Sequence, residues 1–175
     1  MDRSELAAAI FQAAHLTGNF RLRSGAVSTE YFDKYRFESD PSLLRAITDH
    51  LKRLLPTNAQ VLAGLELGGI PLATLLSQAT GLPVVFVRKT AKTYGTCQLA
   101  EGAVVASRRL VLVEDVVTSG GQLIGSAQAL RHVGALVSDA ICVIDRESGG
   151  SERLAEAGIT LVPLYRMSDL KATAA

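Results

Sequence analysis

From about residue 60 onward the chain alternates short apolar runs with amphipathic segments, the pattern of strands interleaved with helices. Val61 to Leu65, Val84 to Arg88, Leu110 to Glu114, Ala140 to Ile144 and Thr160 to Leu164 read as strands, all short, apolar and rich in β-branched residues. Residues 70–80, 121–133 and 150–157 read as helices, closely followed by Gly81, Gly134 and Gly158 as C-terminal caps. This alternation predicts an α/β fold with a parallel sheet and right-handed crossovers. Upstream, Asp2 and Glu5 stand at capping-box spacing, and Leu6, Ala9, Ile10, Ala13 and Ala14 repeat at helical period until Gly18 supplies a stop. Residues 19–39 carry Phe20, Tyr31, Phe32, Tyr35 and Phe37 around a Ser24-Gly25 turn, and read as extended structure forming a hood. Asp40-Pro41 opens a further helix with Pro41 at its first position and Leu43, Leu44, Ile47, Leu51, Leu54 and Leu55 as its buried stripe. Residues 89–108 separate two strands without a helical stripe, and loops of that length are usually functional lids or disordered.

Composition narrows the picture. The 175 residues are 48% apolar and 20% charged, which suits one compact domain. With 18 basic and 17 acidic residues the formal net charge is +1, so no overall field draws the chain to nucleic acid or anionic lipid. Any cationic function must be local. Cys97 and Cys142 form neither a metal-site spacing nor a disulfide framework and fit a reducing, cytoplasmic setting. No long apolar run signals secretion or membrane insertion.

The strongest chemical signal is Leu110 to Gln122, an apolar strand that delivers Glu114 and Asp115 and then Val116, Val117, Thr118, Ser119, Gly120 and Gly121 into a helix. Ligands of open α/β sheets lie at the carboxyl ends of strands, and adjacent carboxylates there suit ribose hydroxyls or a hydrated metal ion. Backbone N–H groups at the start of the helix, with glycines that permit close approach, suit a phosphate. No Gly-Lys-Ser/Thr follows, so this is not a Walker A loop. A solvated turn after a buried strand is the plainer alternative, but the ordered run of strand, acids, Thr-Ser-Gly-Gly and helix favours an anion site. The stretch resembles the phosphoribosyl pyrophosphate (PRPP) motif of type I phosphoribosyltransferases. That resemblance implies a five-stranded parallel sheet flanked by helices under a hood, with the acids on the ribose hydroxyls and residues 116–122 around the 5-phosphate.

Arg88, Lys89, Lys92, Tyr94 and Gly95 follow a predicted strand of the same sheet and precede this motif. A departing pyrophosphate calls for cations on a closing, water-excluding flap, whereas an arbitrary basic cluster is more often a solvated loop. The run is similar to the catalytic loop of orotate phosphoribosyltransferases. The resemblance implies Lys92, Arg88 and Lys89 as catalytic groups beside Asp115, with Tyr94 contacting PRPP where many members carry His. It also implies a homodimer in which the loop, about 88–102, reaches the neighbouring subunit's site. Phe20 to Gly25 with Ser28, Tyr31, Phe32 and Asp33 looks like the family's orotate segment, with Arg23 where Lys is usual. Tyr31 and Phe32 suit a pyrimidine ring; Arg146, after Asp145, suits its carboxylate, though strand-end Asp-Arg pairs are often surface ion pairs. Thr118 also falls to the orotate side by resemblance.

Gly64 to Pro71 resembles the family's pyrophosphate loop, with Gly68 where many relatives have Lys. Magnesium is the implied cofactor, carried by PRPP and water, with Glu66 and Asp115 as the candidates for holding it. The implied domain has its hood mainly over 1–40 and its core over about 41–170, and joins PRPP to orotate in UMP synthesis. Two rivals stay open: a type I enzyme for another base, and a regulator that binds PRPP without catalysis.

Overall fold

The computed structural model describes residues 1–21, 25–90 and 98–173. In chain order the elements are α1 (Arg3–Ala14), β1 (His15–Arg21), β2 (Val27–Phe32), α2 (Tyr35–Glu38), α3 (Pro41–Leu51), β3 (Val61–Leu65), α4 (Gly69–Thr80), β4 (Val84–Val87), β5 (Ala100–Gly102), β6 (Arg109–Val117), α5 (Gly121–His132), β7 (Leu136–Asp145), α6 (Gly150–Glu156), β8 (Thr160–Arg166) and α7 (Met167–Ala172). A six-stranded sheet has the order β5-β4-β3-β6-β7-β8, and β1-β2 form a separate hairpin. The five expected strands are there and pair in parallel, while β5 adds an antiparallel edge on β4. No sequence period marks so short a strand, which is why residues 89–108 read as loop throughout.

Period-two alternation assigns the sheet's two faces. Val111 and Val113 join Leu62, Ile141 and Val143 in a core with α1, α3, α4 and α7. Leu110 and Leu112 turn the other way, to Val61, Ala63, Cys142 and the buried residues of α5 and α6. Helices thus cover both faces, as a parallel sheet requires. Gly69 at the start of α4 lies so close to β6 that a Cβ there would stand 2.1 Å from the Val113 carbonyl oxygen. The three glycine caps hold: Gly81, Gly134 and Gly158 have φ of +76°, +85° and +69°.

The N-terminal third departs from the expected layout in two places. Asp2 and Glu5 do close a capping box, but α1 ends at Ala14 and Gly18 lies inside β1, because His15, Leu16 and Thr17 pair with Phe32, Tyr31 and Glu30. Pairing with a distant strand overrides the local glycine signal. Residues 35–38 form a helical turn instead of extended chain, and its Phe37 is wholly buried. Leu6, Ile10 and Ala14 of α1 are buried in the main core, and Phe32 of the hairpin packs against the same core. Among the described residues no helix is long and apolar enough to cross a membrane.

Candidate active site

β3 and β6 lie side by side, and the chain leaves them in opposite directions across the sheet, toward β4 in one case and β7 in the other. Their carboxyl ends form a topological switch point, where such sheets leave a crevice. A cavity of about 220 Å³ opens there, lined by Glu66 and Leu67 after β3, by 114–123, and by Lys34, Tyr35 and Lys89. Gly120 caps α5 with φ +72°, a conformation that glycine takes without steric cost. A Cβ on Gly150 would lie 2.3 Å from the Thr118 carbonyl oxygen, so the loop rests directly on the first turn of α6. Gln122 Nε2 donates to the Glu66 carbonyl at 2.8 Å and Arg153 Nη1 to the Ser119 carbonyl at 3.0 Å, tying the loop to both neighbours. The first amides of α5 lack intrahelical acceptors, and the residues carrying them line the cavity. An anion there meets N–H donors and the positive end of the helix dipole.

The acids sit deeper than the sequence suggested. β6 continues to Val117 because Glu114, Val116 and Val117 pair with Cys142, Ile144 and Asp145, which leaves Glu114 7% and Asp115 0% exposed. Asp115 accepts a hydrogen bond from Lys34 Nζ through Oδ2 and from the Val116 amide through Oδ1. Burial pushes the Asp115 carboxyl up, but hydrogen bonds with Glu114, Glu38 and Lys34 outweigh it and hold the group below its ordinary value. Burial, with the bond and charge of Asp115 added, pushes Glu114 well above the usual range. For Glu38 the same causes raise the carboxyl to about 8, so in neutral solution it keeps a proton that it can donate to Asp115. That proton accounts for Glu38 Oε1, which is buried without a partner when read as an ionised acceptor. Burial lowers Lys34, yet its bond to Asp115 and the charges of Asp115, Glu38 and Glu114 raise it overall. The cluster therefore sets an acid held low, Asp115, and a lysine held high beside two acids that burial and Asp115 push up.

A second cavity, of about 170 Å³, brings Tyr31 and Phe32 of the hairpin together with Arg146, His15, Met167 and Lys171. Tyr31 is 44% exposed and stacks on Phe20 at 5.5 Å between centroids, whereas Phe32 leans inward on Phe37 at 6.4 Å. The two cavities are joined through one backbone link, the Arg146 amide donating to the Val117 carbonyl at 2.8 Å. Asp145 does not pair with Arg146: its carboxylate accepts from Ser151 Oγ at 2.7 Å and the Glu147 amide at 2.9 Å. Arg146 is left exposed at the end of β7. Thr118 lines the anion cavity, not the aromatic one.

Lys89 reaches the anion cavity; Arg88 does not line it, and its Nε is buried without a partner among the described residues. Arg23, Lys92 and Tyr94 lie outside the described residues. A larger cavity of about 710 Å³ between β5 and the end of α5 is lined mostly by apolar residues such as Leu99, Val104 and Leu130, and offers a phosphate nothing. Sequence reasoning passed over Lys34 and Glu38. In the sequence they stand four residues apart just after the aromatic pair, and only the helical turn that the structure adds brings them to one side.

The profile of the phosphoribosyl transferase domain matches residues 36–161. A Nocardioides protein named orotate phosphoribosyltransferase is 50% identical over 95% of this chain and 93% of its own length. The Mycobacterium tuberculosis orotate phosphoribosyltransferase solved with Fe(III) dicitrate superposes with a TM-score of 0.88 at 30% identity, covering 97% of this chain and 99% of that one. The same enzyme in complex with 5-phospho-α-D-ribosyl 1-diphosphate gives 0.83 at 28% identity, covering 98% and 99%. On these matches the chain belongs to the orotate phosphoribosyltransferase family of type I phosphoribosyltransferases.

Proposed function

We propose that this chain transfers the phosphoribosyl group of PRPP to orotate, giving orotidine 5′-monophosphate and pyrophosphate on the route to UMP. The observation that carries this reading is the pairing of two cavities at the carboxyl ends of the sheet strands: an anion cradle beside Asp115, and an aromatic pocket with the exposed Arg146. The first suits a phosphorylated ribose and the second a flat, carboxylated base.

In the reaction the 5-phosphate rests on the amides of 118–122, and Asp115 and Glu114 receive the ribose hydroxyls. Orotate lies against Tyr31 and Phe32 with its carboxylate toward Arg146, and Arg23 is a further candidate for contacting it. A base nitrogen attacks C1 of the ribose, the bond from C1 to the pyrophosphate oxygen breaks, and the configuration inverts. Lys89, Arg88 and Lys92 stabilise the departing charge, with Tyr94 as a hydrogen-bond partner, and closure of 88–102 excludes water. Among the described residues no three His, Cys, Asp or Glu side chains form a metal cage. The hard oxygen donors on the cavity, Asp115 and Glu66, instead fit magnesium that arrives on the substrate and keeps most of its waters. Bound there, it would neutralise pyrophosphate charge. The working unit is read as a cytoplasmic homodimer of one-domain subunits, each lending its 88–102 loop to the other.

Loss of orotate absorbance with PRPP, followed with and without magnesium and with a purine base in place of orotate, tests the reading. Consumption of orotate only when PRPP and magnesium are both present is expected. Faster turnover of the purine would reassign the base, and PRPP binding without pyrophosphate release would make the chain a sensor.

A further inference from the structure

Lys34 has a position that the mechanism above does not use. It precedes α2, its side chain is 30% exposed, and its ammonium is hydrogen-bonded to an Asp115 side chain that is 1% exposed. The Tyr35 ring lies 5.2 Å from Nζ, and both residues line the same cavity as Lys89 and the anion loop. The facing wall has no room for a side chain. A Cβ on Gly68 would lie 1.7 Å from Asp115 Oδ2 and 2.8 Å from Glu38 Oε1. Cation chemistry beside this acid therefore falls to Lys34 among the described residues.

Asp115 has little acceptor capacity to spare. Oδ1 takes the Val116 amide and Oδ2 takes Lys34, with Glu38 and Glu114 bonded to the same carboxylate. Ribose hydroxyls that need this acid must displace a donor. The amide is fixed in β6, and the two acids are held in packed elements. Lys34 is the donor that can leave, being partly exposed on a flexible four-carbon stem with rotatable N–H groups. Once released in a cavity shared with a diphosphate, an ammonium moves to the nearest uncompensated negative charge.

We propose that Lys34 is an exchanged counter-ion: it holds Asp115 in the free protein and transfers to the diphosphate when the ribose hydroxyls take that carboxylate. The inference rests on the phosphoribosyl-transfer reading and adds a substrate-binding residue to it. It also explains why a lysine is placed on an acid that substrate must reach.

The test compares ligands that contain different parts of PRPP. Lys34→Met keeps the stem and removes the charge. By calorimetry, its affinities for PRPP and for magnesium pyrophosphate should fall about ten- to a hundred-fold, the range of one charged hydrogen bond. Its affinity for ribose 5-phosphate should hold or rise, because no ammonium then competes for Asp115. Lys34→Arg should keep pyrophosphate affinity within about ten-fold. If Lys34→Met does not fold, Lys34→Gln should give the same divergence between ligands. Equal loss for all three ligands, loss confined to ribose 5-phosphate, or no change would each overturn the exchange. Failure of the unaltered protein to bind PRPP would instead remove the underlying reading, and the exchange with it.

Discussion

The anion cavity and the aromatic cavity lie either side of one hydrogen bond, from Arg146 N to Val117 O, yet they are built on opposite principles. The anion cavity comes largely from one continuous stretch, 114–123, and its proposed work is done by backbone amides of the loop held between β6 and α5 and of the first turn of α5. The aromatic cavity is assembled from α1, the hairpin, the end of β7 and α7, and its proposed work is done by side chains. Amides of a rigid element can recognise any phosphate group. A base is selected by side chains, so that pocket must be gathered from several places. The difference implies that substitutions near the first cavity act on PRPP binding, on turnover or on folding, while those at the second act on the choice and affinity of base.

The largest effect should come from the loop proposed to serve the leaving group. Lys92→Ala is expected to lower kcat by about two to three orders of magnitude, the usual loss of one transition-state charge stabiliser. Steady-state turnover close to the unaltered rate would exclude Lys92 from the mechanism.

Arg146→Ala should sharpen the contrast from the other side. Losing a charged hydrogen bond to the base carboxylate should raise KM for orotate about ten- to a hundred-fold, with KM for PRPP nearly constant. Were both constants to rise together, the two cavities would not be separate in function.

Gly69→Ala probes the rigid side by stability. The added methyl would stand 2.1 Å from the Val113 carbonyl oxygen, and pushing α4 off β6 should cost about 1–3 kcal/mol in urea unfolding. An unchanged midpoint would mean that the contact between α4 and β6 yields more easily than its close approach implies.

The smallest effect concerns Glu38, whose carboxyl is raised from 4.5 to about 8, first by burial and then by Asp115. The folded chain holds this proton more tightly than the unfolded one. The stabilisation is thus complete below 4.5 and is lost as pH rises through about 8. Glu38→Gln should flatten the decline of the unfolding midpoint across that window. An identical slope in the variant would assign the pH dependence to other groups.

Legibility followed the same division as the two cavities. The parallel strands, their glycine caps and the acid-loop motif were readable because strand period, left-handed caps and a contiguous anion site are local patterns. The edge strand β5 was not, because three residues carry no period and Ala100, Glu101 and Gly102 are strand only through pairing with Val87, Phe86 and Val85. Gly18 misled for a related reason: a local stop signal lost to hairpin pairing with residues fifteen or so positions away. Lys34 and Glu38 were overlooked because each looks like an ordinary surface charge until Phe37 between them is buried and turns both toward Asp115.

By itself the sequence determined the α/β alternation, the place of the anion loop after its strand, and the family, since each is written in spacing along the chain. Only the tertiary structure decided that Glu114 and Asp115 lie inside the sheet rather than at its rim, and that a lysine from the N-terminal third sits on one of them. It also decided that His15, Tyr31, Arg146 and Lys171 share one pocket. Burial and charge pairing depend on distances between segments far apart in the chain, and local pattern carries no measure of those distances.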